Sequence, residues 1–531
     1  MYKKNEYDVF IESILLKDKF LVSSSICDSL SNKYRVTNDN ARKILERSSK
    51  KNIIKTSYPL TFGKGQYIYF LPDEKLNKET IKKISKKFRP PLYRLIESLD
   101  NNEGVISYFE ALKITSSPLV RGSSKIDLLD DLIEVLKTRE LIYLATDNNN
   151  VKYIIYQNLK ENEINLMNFH YSKLKLDAVF VKDILDWLVK SNLILSLNNQ
   201  YRNKNNPTLG AKHNNLLWDA FGYTKTTGLI QKSNSKDDTI EKQTLVVLDV
   251  VLSRNYEEYD LDGFLSRIQI NLNSVNKGFR KVIPIIVFKG CSSYVYNKMK
   301  KLGFLCYDIG SIFGSNIFTI LDNVTKLQFN HNFINNDDFE KTIIETLNSI
   351  KDSGQEDQLK ALKGILFEVI LFQVLRHQYS NAEIIPNYYY SKIIFNKESQ
   401  LEESRGYEYD YIIRSNNPKE IIIVELKGYH SKYKIPLGTY ETKNTIKWFF
   451  NNTLTFIKDK FQSEINEGYI FKGAYITSSN FEKEAIEFMT ILNNGKLKPE
   501  RLNVFYDRSQ LLELLKKNDF KSLTNIIEKY Y

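Results

Sequence analysis

Hydrophobic and polar positions alternate along this chain with two different periods, and the changes of period mark out successive folded stretches. Residues 8–20, Ser23 to Tyr34 and Thr37 to Arg47 carry apolar residues at helical spacing. In the third of these, Ala41, Ile44 and Leu45 share one side, Arg42, Lys43 and Arg47 the other, and Thr37 stands where a helix cap belongs. Asn52 to Thr56 and Gln66 to Phe70 then read as strands around the turn-rich Gly63-Lys64-Gly65. The pattern predicts helix, helix, helix, hairpin over residues 1–76. A second unit of the same order follows at 90–160, with helices at Leu92 to Leu99, Tyr108 to Ile114 and Asp127 to Arg139 and strands at Leu141 to Leu144 and Val151 to Tyr156. Residues 161–205 read as a helical connector.

Beyond the polar, Asn-rich stretches 198–215 and 231–242, the period changes. Leu245 to Val251 and Val282 to Phe288 are continuous apolar runs of the kind buried strands show, with a helical stretch from Asp262 to Asn273 between them and a shorter strand at Phe304 to Asp308. This predicts an α/β module over 206–330. Lys351-Asp352-Ser353-Gly354-Gln355-Glu356-Asp357 predicts a hinge into a last domain, 350–531.

The last domain holds the candidate chemistry. Its apolar helix Lys363 to Phe372 has one central acid, Glu368, whose neighbours on a 3.6-residue period are Gly364, Ile365, Leu371 and Phe372. A carboxylate there is neutralised, paired or metal-bound, or it snorkels past Gly364 to solvent. Asp410 interrupts an apolar strand, and a turn at Asn416-Asn417-Pro418 leads into Ile421-Ile422-Ile423-Val424-Glu425-Leu426-Lys427. The strand period of two puts Glu425 and Lys427 on one face and Leu426 on the other. Two neighbouring carboxylates repel unless a cation lies between them, and hard oxygen ligands suit Mg²⁺ or Mn²⁺. In that reading the carboxylates hold an ion that polarises a phosphate and acidifies water, while Lys427 orients the nucleophile or stabilises developing charge. The alternative for a three-residue pattern is a solvated polar stripe on a hairpin.

Gly473 to Ser479 follows as an apolar strand ending in hydroxyls, and Asn480 to Phe488 begins like a capped helix. This order resembles the PD-(D/E)xK nuclease superfamily, and within it the catalytic domain of Mrr-like restriction endonucleases, over about residues 355–510. Gly406-Tyr407-Glu408-Tyr409-Asp410, Val424-Glu425-Leu426-Lys427, and Ile476-Thr477-Ser478-Ser479-Asn480-Phe481 with Glu484-Ala485 carry the resemblance. It implies catalytic roles for Asp410, Glu425, Lys427 and Glu368, with Asp410, Glu425 and Glu368 as Mg²⁺ or Mn²⁺ ligands. Tyr409 stands where proline is usual, and Gly428-Tyr429-His430 replaces a more basic tail, which leaves substrate preference open.

The first unit resembles the winged helix-turn-helix superfamily. The resemblance implies that the third helix, with Arg42, Lys43 and Arg47, reads a DNA groove, with Lys64 on the wing. A protein-docking winged helix shares the same fold. In the second unit Asp127, Asp130, Asp131 and Glu134 make the third helix acidic, a face that repels phosphate and suits a spacer or docking domain. In the 206–330 module, Asp249 preceded by Trp218-Asp219-Ala220-Phe221 echoes a nuclease pattern, but no E-x-K follows. The module reads as Rossmann-like, or as a degenerate nuclease-like unit that positions DNA or a partner.

Composition narrows the picture. A length of 531 residues predicts roughly three or four domains, and 42% hydrophobic with 13% aromatic residues supports ordered ones. The formal net charge of +12 favours a polyanionic partner. Cys27, Cys291 and Cys306 lack metal spacing and imply reduced thiols and a cytoplasmic location, while the scattered histidines give no support to zinc or Ser-His-Asp chemistry. No phosphate-cradling Gly-rich loop is present, so any ATPase or helicase is a separate partner, and no apolar run is long enough for a membrane role.

The expectation is a multidomain α+β and α/β chain: N-terminal winged-helix units, a central α/β module and a C-terminal restriction-endonuclease-like core. Its expected activity is that of a divalent-metal-dependent endodeoxyribonuclease acting on double-stranded DNA in restriction or anti-phage defence. A homodimer would cut both strands. The alternative is a DNA-binding or docking subunit of a larger defence complex.

Overall fold

The computed structural model describes residues 4–63, 65–120, 128–196, 198–225, 243–273, 281–329, 336–354, 356, 359–396, 401–443 and 445–531. Lys64 and Asp127, both singled out in the sequence, lie outside them. The chain is a mixed α/β protein with several sheets. Among the described residues, no helix is long and apolar enough to cross a membrane.

At the N-terminus, helices Glu6–Lys17, Ser23–Tyr34 and Asn38–Lys50 pack beside strands Phe20–Val22, Lys55–Thr56 and Ile68–Phe70, the last of which is central in the sheet. The Thr37 hydroxyl accepts the Asn40 N–H and caps the third helix. Its apolar side, Ala41, Ile44 and Leu45, is buried, while Arg42, Lys43 and Arg47 are exposed. Arg42 is loosely tethered to Asp39 at 3.7 Å. The expected strand from Asn52 shrinks to two residues because Ile53 and Ile54 turn into the core instead of pairing.

The second unit repeats this connectivity. Helices Pro90–Asn101, Tyr108–Thr115 and Leu129–Lys137 accompany strands Val105–Ser107, Ile142–Thr146 and Lys152–Tyr156, again with the last strand in the middle. Asp130, Asp131 and Glu134 are exposed on its third helix.

Residues 161–205, expected to be a connector, instead contain the central packing element. One helix, Glu163–Lys190, buries Leu176, Phe180, Ile184 and Leu188 in the largest apolar cluster. Apolar residues recur all around this helix, as they do in one enclosed by protein on most sides.

Two five-stranded sheets flank that cluster. The first runs Leu305–Asp308, Val282–Phe288, Gln243–Val251, Ala220–Lys225, Gln200–Tyr201; the second runs Phe505–Tyr506, Ile470–Thr477, Lys419–Lys427, Leu401–Asn416, Glu383–Asn396. In each, an antiparallel pair is continued by strands parallel to its second member. A long helix precedes each sheet's antiparallel pair, Glu163–Lys190 in one case and Lys360–Gln378 in the other. Two helices follow the last strand of each: Gly310–Phe313 and Asn316–Phe329, then Arg508–Lys517 and Lys521–Tyr530. The same order of elements therefore occurs twice in one chain.

Both repeats bury one sheet face in the same core, Val246, Leu248 and Val250 from the first and Ile422, Val424 and Leu426 from the second. Of the stretch 351–357, expected to be a hinge, Lys351 and Asp352 end helix Asn336–Asp352, and Gln355 and Asp357 lie outside the described residues; helix Lys360–Gln378 follows. Leu347, Ile350, Leu359 and Leu362 from either side of the stretch belong to that core. Separate domains have separate cores, so the apolar packing does not divide here.

Candidate active site

The strand ladder that carries Asp410 stops one residue short of it. Tyr411 pairs with Val424, and the next step would set Asp410 opposite Glu425. Instead Asp410 Oδ2 accepts the backbone N–H of Leu426 at 2.6 Å, so the carboxylate replaces a ladder partner. Side-chain alternation also breaks here. Tyr409 packs with Ile412, Ile421 and Ile423, whereas Tyr411 packs in the opposite cluster with Ile413, Ile422 and Val424. An unbroken strand would place Tyr409 and Tyr411 on one face. Asn387, which belongs to the neighbouring strand, has a left-handed φ of 51° at the same level.

Glu425, Leu426 and Lys427 alternate as the sequence requires, with Leu426 buried and its two neighbours partly accessible. Lys427 Nζ lies 2.5 Å from Glu425 Oε1 and 3.9 Å from Asp410 Oδ2. The next strand fixes the end of this one: Thr477 Oγ1 donates to the Lys427 carbonyl at 2.8 Å, and Ser478 Oγ to the Tyr429 carbonyl at 2.7 Å. The expected helix from Asn480 begins only at Lys483, because Asn480 and Phe481 pair with Lys434 and Ile435 as a short strand.

Glu368 comes from helix Lys360–Gln378 and faces the same corner. Its partner is Lys175 of the long helix Glu163–Lys190, at 3.8 Å. Lys175 Nζ also lies 2.9 Å from Glu408 Oε1 and donates to Asn387 Oδ1. Its side chain is only 5% exposed. Glu408 and Lys175 are the residues that the sequence did not give. Strict alternation turns Glu408 away from Glu368, and only the break at Asp410 undoes that. Lys175 lies 212 residues before the asparagine it binds, so no local signal points to it.

Burial pushes the carboxyls of Glu368 and Glu425 up to about 7. Lys175 and Lys427 respectively oppose that rise, and the nearby Asp410 and Glu408 charges add to it. Burial disfavours the Lys427 ammonium, but Glu425 and Asp410 override this and hold its pKa well above the ordinary lysine range.

A carboxyl raised on folding binds its proton more tightly in the folded state. Its contribution is fully present below the unfolded value and is lost as pH rises through about 7. We expect Glu368→Gln to melt like the wild type near pH 4 and above it near pH 8 without divalent ions. Paired thermal melts across that range check this; a variant that melts below the wild type near pH 8 would place Glu368 in a plain structural ion pair.

Among the described residues, no three or more His, Cys, Asp or Glu side chains gather tightly enough to hold a metal by themselves. In this corner the two ammonium groups stand between the carboxylates. The donor types nonetheless suit a hard divalent cation, because all are carboxylate oxygens.

The other sheet repeats the arrangement with different charges. Its ladder ends at Ala220 and Leu248, so the next step would oppose Asp219 to Asp249. Asp219 Oδ2 accepts the Val250 N–H at 2.8 Å, as Asp410 accepts that of Leu426. Two residues after Asp249 stands Val251, where the second repeat has Lys427. The cation arrives from elsewhere: Lys113, on helix Tyr108–Thr115 of the second unit, lies 2.5 Å from Asp219 and 3.0 Å from Asp249. Arg267 at 2.8 Å and the Tyr256 hydroxyl at 2.9 Å complete the Asp249 shell, and Arg202 reaches Asp219 at 3.2 Å. Although burial opposes it, Lys113 and Arg267 hold Asp249 far below the usual carboxylate range. The cavity among these groups is about 10 Å³, room for about one water. Asp249, a catalytic candidate on its sequence context, is enclosed and fully paired.

No known protein family, curated protein or solved structure matched the chain in comparison.

Proposed function

We propose that this chain is a divalent-metal-dependent endodeoxyribonuclease whose reacting centre is the corner formed by Asp410, Glu425, Lys427 and Glu368. The observation that carries the proposal is the placement of Asp410 and Glu425 about the Lys427 ammonium at one strand end, with the acid of a preceding helix, Glu368, near enough to Asp410 for their charges to repel. Asp410 and Glu425, with Glu368, would hold Mg²⁺ or Mn²⁺. When bound, the ion supplies Lewis acidity and a water acidic enough to attack a phosphodiester at neutral pH. Asp410 keeps a rigid orientation through the Leu426 N–H. Lys427 orients the attacking water or neutralises charge that develops on the phosphate. The break in alternation at Asp410 turns Glu408 to the side of the sheet where Lys175 pairs it with Glu368.

The first repeat lacks the lysine and its acids are enclosed, so it offers no second cutting centre. Cleavage of both DNA strands then requires a second copy of the chain or two successive events. Incubation of plasmid, linear duplex, single-stranded and branched DNA, and RNA, each with Mg²⁺, Mn²⁺ or EDTA, tests the proposal. Metal-dependent DNA nicking is the expected result. No cleavage of any substrate with either ion would overturn it and leave the docking-subunit reading.

In the same proposal, residues 1–76 form a winged-helix unit that engages duplex DNA through Arg42, Lys43 and Arg47 on its exposed helix face. Replacing all three in the full chain with glutamine should weaken DNA binding. It should also flatten the plot of log affinity against log salt by roughly one unit of slope for each phosphate that is no longer neutralised. An unchanged slope would instead make this face a protein-docking surface.

A further inference from the structure

The long helix Glu163–Lys190 serves both repeats from opposite sides. Asp177 accepts the backbone N–H groups of Leu252 and Ser253 at 2.8 Å, at the end of the first repeat's acid strand. Lys175 reaches the corner of the second repeat. Residues two apart on an α-helix point about 200° apart, which is why a single turn of this helix addresses two different sites.

Four carboxylates line the second corner as two lysine-centred pairs, Glu368 and Glu408 about Lys175 and Asp410 and Glu425 about Lys427. Two ammonium groups, Lys175 and Lys427, face them. With all six ionised, the corner carries two negative charges, which one divalent cation balances. Without Lys175 it carries three. The Lys175 ammonium is almost wholly shielded from solvent, is shared between Glu368 and Glu408, and is anchored to Asn387. An ammonium so held does the electrostatic work of a cation and needs no uptake from solution.

We propose that Lys175, supplied by the first repeat, is a positioning residue that occupies the place of a second cation in the metal corner of the second repeat. It thereby restricts that corner to a single divalent ion. This rests on the nuclease reading of the corner. Lys175 aligns Glu368 and Glu408 by direct ion pairing, and through them fixes the face that Glu368 turns toward Asp410.

The test is Mn²⁺ binding to the full chain by calorimetry, comparing the wild type with Lys175→Met and with Lys175→Met/Glu408→Gln. The wild type should bind one Mn²⁺ in the corner. Lys175→Met should bind a second ion, or bind the first at least about tenfold more tightly, as a site stripped of a competing cation does. Adding Glu408→Gln should restore the wild-type behaviour, which a merely structural role for Lys175 would not do. Lys175→Gln, which retains a donor for Asn387, replaces the methionine variant if that one does not fold.

Wild-type stoichiometry and affinity in a folded Lys175 variant would overturn the proposal. So would the failure of both single variants to fold, which would make Lys175 a structural counter-ion. If the wild type bound no Mn²⁺ at all, the nuclease reading itself would fall, so the two failures are distinguishable.

Discussion

Glu425→Ala and Lys427→Ala are each expected to lower metal-dependent DNA cleavage by about 10²-fold or more, the usual loss when one preorganised electrostatic group is removed from a reacting centre. Both side chains lie at a strand end with 15–20% exposure, and the core packing of this segment is made by Leu426 between them. Truncation therefore removes charge with little apolar packing, and both variants should remain folded. The two differ in metal affinity. Glu425→Ala removes a ligand and should weaken Mn²⁺ binding. Lys427→Ala frees Glu425 from an ammonium only 2.5 Å away and should leave binding unchanged or tighter. Single-turnover cleavage together with Mn²⁺ calorimetry separates these effects. A Glu425→Ala protein that cuts at the wild-type rate would remove the corner from the mechanism.

The residues that local pattern exposes are those whose neighbours in sequence set their environment. The Ile421 to Lys427 run alternates as written because a strand buried on both faces has little freedom to do otherwise. Glu368 was visible because a helix period surrounds it with Ile365, Leu371 and Phe372. The order of three helices and a closing pair of strands in each of the first two units was legible for the same reason, but the short strands Phe20–Val22 and Val105–Ser107 that complete each sheet were not. What escaped depends on packing that no local period encodes. The role of helix Glu163–Lys190 arises because it packs between two sheets, so its polar residues Lys175 and Asp177 read as ordinary helix surface until both sheets are in place. Glu408 was hidden by the break in alternation at Asp410. Lys113 was hidden because the second unit lends it to a strand pair far along the chain. The absence of a lysine after Asp249 was plain in the sequence, but not that the Lys113 ammonium would stand at the corresponding acids.

That substitution of cations leads to the largest stability effect expected for this chain. Lys113→Ala should destabilise the protein by about 3–5 kcal/mol at neutral pH, the range for breaking one partner out of a buried ion pair. Lys113 is 7% exposed and touches both Asp219 and Asp249, which are 0% and 2% exposed. Arg267 and Arg202 remain, but each reaches one acid, so the two carboxylates face each other with their shared cation gone. The pH dependence follows from the sign of the shift. In the wild type Asp249 lies far below its ordinary value, so its contribution is present above the unfolded carboxylate range and is lost only as pH falls through the depressed folded value. In the variant Asp249, without the Lys113 charge that does most to lower it, regains its proton at higher pH, so the gap between the two proteins should narrow as pH drops toward about 4. Adding Asp219→Asn alone to Lys113→Ala should recover part of the loss, because it ends the repulsion between the two carboxylates while Asp249 keeps Arg267 and Arg202 keeps Asp177 as a partner. Urea unfolding followed by tryptophan fluorescence at pH 7 and pH 4.5 measures all three proteins. A shift below about 1 kcal/mol for Lys113→Ala at pH 7, within the range of an exposed ion pair, would show that Lys113 is not the counter-ion that holds these two acids inside the fold.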